Sequence, residues 1–169
     1  MQQHLITVEE VSTLARELSI HLEEEKVETY IREAESIDIK SALGDALFLD
    51  VKEHPEKYEL LLKGGMYDNS RSQKKLLTGL KTALAYYTYA RIVKSGDMNV
   101  TRFGTVLNDT EESTRPSFKE KLQAYNDAFS IAARYMQECV DYIIDAKLPF
   151  YDRDGKVRAN GTTYKVLGE

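Results

Sequence analysis

Apolar residues recur at helical intervals along most of this chain, and polar clusters divide them into segments. Thr7 followed by Glu10 has the spacing of a capping box, and Val8, Val11, Leu14, Ala15 and Leu18 then fall on one face, which predicts a first short helix. A longer helical stretch is expected from about Leu22 to Val51, where Val27, Tyr30, Ile31, Ala34 and Ile37 make one apolar stripe. Glu23, Glu24 and Glu25 stand at the favourable end of its dipole, and Gly44 is the expected break. Pro55 opens a further turn through Tyr58, Leu61 and Leu62, and Gly64-Gly65 stops it.

The run Met66-Tyr67-Asp68-Asn69-Ser70-Arg71 is turn-rich and reads as a loop. A strong helix is predicted from about Gln73 to Lys94, with Leu76, Leu77, Leu80, Ala83, Leu84, Tyr87 and Ala90 on a broad apolar face, ended by Ser95-Gly96-Asp97. Val100, Thr101, Phe103, Thr105 and Val106 are β-prone residues around Gly104, the pattern of an extended arm or short hairpin between two helices, and Asn108 to Arg115 is a polar connection. The clearest helix starts at Ser117, with Glu120 at capping-box spacing, and runs to about Asp145. Phe118, Leu122, Tyr125, Phe129, Ala132, Met136, Cys139 and Ile143 alternate steps of four and three, and this seam is expected to pack along its whole length. After Pro149, Asp154-Gly155 and Asn160-Gly161 are hairpin-type dipeptides flanked by Phe150, Tyr151, Val157, Tyr164 and Val166.

The fold class that follows is mainly α: a bundle of about four to five helices with a short β-prone hairpin or loop insertion and a turn-rich C-terminal tail. Residues 1–147 form the helical domain, and residues 148–169 an arm or small β-hairpin that orders on a partner. A chain of 169 residues with 42% hydrophobic and 30% charged residues suits one domain with one core. No apolar run approaches membrane-spanning length, and Met1-Gln2-Gln3-His4 lacks the basic flank and apolar stretch of a signal peptide, so the expectation is a cytosolic protein.

The lone cysteine, Cys139, excludes an intramolecular disulfide and a multi-cysteine zinc site, and the scattered His4, His21 and His54 make a poor metal set. A net charge of -5 argues against tight, sequence-independent gripping of a phosphate backbone. Glu23-Glu24-Glu25 and Glu111-Glu112 read as solvated faces, since consecutive helical residues diverge. Asp38 and Asp45 would share one face of the second helix two turns apart, and a polar contact at a helix or subunit junction is preferred over a catalytic or metal role. Cys139 lies on the apolar seam and reads as packing. Tyr86, Tyr87 and Tyr89 suggest a stacking platform, but the few basic residues among them favour packing against helices. Gly64-Gly65 and Gly104 are turn glycines, since no Gly-Lys-Ser or Gly-Lys-Thr pattern follows them.

Several strings carry a resemblance. They are Leu5-Ile6-Thr7; Ile37-Asp38-Ile39-Lys40 through Leu43-Gly44-Asp45-Ala46-Leu47; Leu61-Leu62-Lys63-Gly64-Gly65-Met66-Tyr67; Gly79-Leu80-Lys81-Thr82-Ala83-Leu84-Ala85-Tyr86-Tyr87-Thr88-Tyr89-Ala90-Arg91; Val100-Thr101-Arg102-Phe103-Gly104; and Tyr135-Met136. Over roughly residues 5 to 145 the chain resembles short proteins encoded by phages and prophages of gut bacteria, similar to the head-tail connector (adaptor) proteins of tailed phages.

The resemblance implies a non-enzymatic virion structural protein, present in the host cytoplasm before assembly. It implies a homo-oligomeric ring that docks beneath the portal protein and offers a platform to tail-side proteins. Helices would form the ring body, and an extended hairpin and the termini would reach neighbouring subunits or the next ring. No cofactor, metal, small-molecule substrate or membrane is implied, and DNA is met only as it passes through a channel. The expected interaction residues are Asn99, Val100, Thr101, Arg102, Phe103, Gly104, Thr105 and Val106, with Phe150, Tyr151, Tyr164 and Val166. The rival readings are a helical protein-protein interaction or regulatory module of a prophage, and an enzyme using Asp38, Asp45 or the tyrosine cluster.

Overall fold

The capping box forms as its spacing requires: in the computed structural model the Glu10 backbone N–H donates to Thr7 Oγ1 at 3.2 Å, and the Thr7 N–H donates to Glu10 Oε2 at 2.9 Å. The structure describes residues 4–17, 22–95, 98–101, 104–107 and 118–151. The box opens α1 (Val8–Leu14), which buries Val11 and ends before Leu18. Next, α2 (Glu24–Ala34) buries the stripe Val27, Ile31 and Ala34 and runs without a break through a π-helical turn (Glu35–Ile39) into α3 (Lys40–Leu43). Glu35 and Ile39, four residues apart on one face of this turn, are both buried. Gly44, at φ +79°, breaks the helix, and α4 (Asp45–Glu53) begins at once.

Pro55 starts a 3₁₀ turn (Pro55–Tyr58) that leads into α5 (Glu59–Lys63). Two antiparallel strands follow, β1 (Gly65–Asp68) and β2 (Lys74–Leu77), with Met66 opposite Leu76. Here the expected loop and the expected helical start at Gln73 give way to a ribbon. Asn69 explains it: Asn69 Oδ1 accepts from the backbone N–H groups of Arg71 and Gln73, both at 2.9 Å, and turns the chain back. Gly64 and Gly79 close the neck of the ribbon at positive φ, and a Cβ on Gly64 would meet the Leu77 carbonyl oxygen at 2.4 Å. The helix therefore starts only at Leu80.

That helix, α6 (Leu80–Ser95), is the axis of the core and packs against α1, α2, α5 and α7 (Phe118–Asp145). Leu80, Ala83, Leu84, Ala85, Tyr87 and Ala90 are buried, a wider face than one stripe because neighbours surround it. Between α6 and α7 the expected hairpin is present as β3 (Met98–Thr101) and β4 (Gly104–Leu107). Ser117, the expected cap of α7, lies outside the described residues, as does the chain from residue 152 onward. The architecture is mainly α, as the periodicity predicts, with the expected hairpin between α6 and α7 and a second ribbon, β1–β2, that the periodicity did not indicate.

Candidate functional site

The π-helical turn brings two acids into the interior. Glu35 is buried, and its carboxylate accepts from the Leu5 backbone N–H, from Lys52 Nζ at 3.0 Å and from His4 Nδ1 at 3.2 Å, tying the N-terminal segment to α4. Three residues on, Asp38 Oδ2 lies 2.7 Å from Arg91 Nη1 of α6. That contact is an ion pair between α6 and the π-helical turn. Burial raises the Asp38 carboxyl above its ordinary range, and the Arg91 guanidinium partly offsets the effect. Arg91 also donates from Nη1 to the Tyr87 carbonyl at 3.2 Å.

Asp38 and Asp45 do not converge. The helix breaks at Gly44, and Asp45 is exposed and paired with Lys40 at 3.2 Å, while Asp38 faces Arg91 of α6. Asp38 makes the polar contact at a helix junction that its position suggested. The tyrosines pack rather than stack in a row: Tyr87 meets Phe129 edge-on at 5.2 Å, Tyr86 meets Tyr135 edge-on at 5.6 Å, and Tyr89 lies beneath the Arg16 guanidinium at 5.7 Å. Cys139 is buried in the α6–α7 seam, and burial pushes its thiol up to about 12, where it is a poor nucleophile at neutral pH. Among the described residues no group of three or more His, Cys, Asp and Glu side chains is placed to hold a metal ion. No helix among them is long and apolar enough to cross a membrane.

The surfaces that call for a partner lie elsewhere. The seam of α7 is not covered along its whole length, which corrects the expectation from its spacing. From Ala128 to Ile143 it is buried against the core, but Leu122 is 43% exposed and Phe118 is 82% exposed. The reason is length: at about 1.5 Å per residue, the helix of 28 residues outruns its antiparallel partner α6 of 16 residues. Lys94, at the last turn of α6, sits over the Tyr125 ring at 5.0 Å and marks where that cover stops. The first two turns of α7 project beyond it, and the chain that bears the β3–β4 ribbon joins the same end.

Of the expected interaction residues, Asn99, Val100 and Thr101 lie in β3, and Gly104, Thr105 and Val106 in β4, while Arg102 and Phe103 fall outside the described residues. Phe150 is 62% exposed at φ +64°, and Tyr151 is half-buried against the core. Tyr164 and Val166 fall outside the described residues. Sequence reasoning missed a second apolar exposure, on the outer face of β1–β2, where Met66 and Leu76 oppose each other across the strands at 76% and 73% exposure. The opposite face of that ribbon is held on the end of α7, where Tyr67 meets Tyr142 edge-on at 4.9 Å and Lys75 pairs with Asp145 at 3.3 Å.

A family model described as a family of unknown function (DUF6712) matches residues 39–161, well over half of the chain. No curated protein and no solved structure matches.

Proposed function

The chain belongs to the DUF6712 family, and from that starting point we propose that it is a non-enzymatic structural protein of a phage particle, a head-tail connector that assembles into a ring between portal and tail. The observation that carries this reading is the uncovered end of the α6–α7 pair, where Phe118 and Leu122 continue a core seam into solvent. An apolar stripe continuous with a packed core is costly to leave in water, about 1.5–3 kcal/mol for each large side chain, and contact with another subunit removes that cost. The resemblance over residues 5 to 145 supplies the virion setting, and the acidic balance suits a channel wall along which DNA slides without being gripped.

In this reading the helices build the ring body, the β3–β4 insertion and the C-terminal segment from Phe150 make contacts outside the subunit, and the portal and tail-side proteins are the docking partners. Replacing residues 99–106 by a Gly-Ser linker of equal length tests it. The expected result is unchanged helix content by circular dichroism together with heads that lack tails in a complementation assay. Normal yields of tailed, infectious particles would remove the insertion from the interface. If the whole gene proved dispensable for joining heads to tails, the connector reading would fail, and a regulatory interaction module would take its place.

A further inference from the structure

We propose that residues 4–17 form a strap that releases from the rest of the chain as one unit and leaves α2 to α7 folded. The strap is a short element fastened from outside. Its helix α1 has seven residues, and a helix of that length does not hold itself together in water. Side chains of three other elements hold it. The Leu5 backbone N–H and His4 Nδ1 bind the Glu35 carboxylate of the π-helical turn, Glu10 pairs with Lys81 of α6, and Arg16 pairs with Asp127 of α7 at 2.7 Å. Between these fastenings Ile6, at 3% exposure, and Val11, at 0%, are buried in the core.

The charged groups that the strap leaves behind keep a partner or gain water. Glu35 keeps Lys52, whose Nζ donates to Oε2 at 3.0 Å, while Oε1 is the oxygen that serves Leu5. The Lys81 side chain is 24% exposed and that of Asp127 is 53% exposed, so water takes the place of Glu10 and Arg16. Release therefore strands neither Glu35 nor Lys81 nor Asp127, in contrast to parting Asp38 from Arg91 inside the fold. Release uncovers Ile6 and Val11, whereas global unfolding uncovers the apolar faces of α2, α4, α6 and α7 together, so release is the smaller and more frequent event.

Amide hydrogen exchange on the full chain, resolved residue by residue by nuclear magnetic resonance, tests the strap. Its reporters are the Leu5 N–H bound to Glu35, the Val11 N–H bound to the Thr7 carbonyl and the Ala15 N–H bound to the Val11 carbonyl. They should share one opening constant to within about three-fold, at least about ten-fold larger than that of the buried stretches of α6 and α7. Lys81→Met should raise all three together by roughly two- to five-fold, the worth of one partly exposed ion pair, and leave α7 unchanged. Coupling Glu10 to Lys81 with a carbodiimide, which joins a carboxylate and an ammonium group in contact through an amide, should lower all three toward the level of α6. Reporters that differ by more than about ten-fold, that respond separately to Lys81→Met or that ignore the amide link would overturn the proposal by showing that α1 frays in place. Opening constants equal to those of α6 and α7 would overturn it by showing that the strap opens only with the whole fold.

Discussion

Replacing Glu35 by alanine should be among the most destructive single changes outside the apolar core. The Glu35 side chain is 4% exposed and that of Lys52 is 15% exposed, so the variant leaves an ammonium group with little water and no carboxylate. It also leaves the Leu5 backbone N–H without its acceptor and loosens the segment that carries the buried Ile6. Breaking a buried ion pair from one side costs about 3–5 kcal/mol. The lower end applies here, because Lys52 keeps some access to solvent and its ammonium lies 5.5 Å from the centre of the Phe48 ring. A loss of about 3 kcal/mol, set against a typical total of about 5–15 kcal/mol, should lower the melting temperature of a chain this long by roughly 6–12 °C. Glu35→Gln, which keeps an acceptor for Leu5, should lose less, and adding Lys52→Met to Glu35→Ala should restore part of the loss by removing the stranded charge. Urea denaturation followed by far-ultraviolet circular dichroism measures all three. A Glu35→Ala variant within about 1 kcal/mol of the parent, unchanged by Lys52→Met, would refute the reasoning.

Arg91→Met should cost about 3 kcal/mol near neutral pH by stranding the Asp38 carboxylate. Because burial raises the folded-state pKa of Asp38, its protonated form is favoured below the unfolded pKa and that advantage is lost as pH rises, so the deficit of the variant should shrink on acidification; equal deficits at pH 7 and pH 5 would contradict this. Cys139 and Tyr58 are each pushed up to about 12, from 9.0 and 10.0, so the unfolded chain ionises first and stability should fall as pH rises through that window. Cys139→Ala should flatten the early part of the decline, and identical slopes between about pH 9 and 10 in parent and variant would count against a buried thiol. Phe129→Asp should cost about 3–4 kcal/mol by setting a carboxylate against the Tyr87 ring, and an unchanged denaturation midpoint would mean that this contact contributes nothing.

The parts of this fold legible in the sequence are those whose causes are local. Thr7 and Glu10 are three residues apart and cap each other, so the start of α1 is visible in two letters. The β-prone run around Gly104 announces its hairpin for the same reason. In Leu76, Leu77 and Leu80 the helical interval is present, but the turn at Asn69, upstream of the window that suggested a helix, and the positive φ of Gly79, a single glycine inside it, decide otherwise. The four-three spacing of α7 shows which face seeks cover without showing how far the cover extends, since that depends on where α6 ends. In the sequence Glu35 is one acid among several along α2. Its partners Lys52, Leu5 and His4 are 17, 30 and 31 residues away, and no local pattern ties them together.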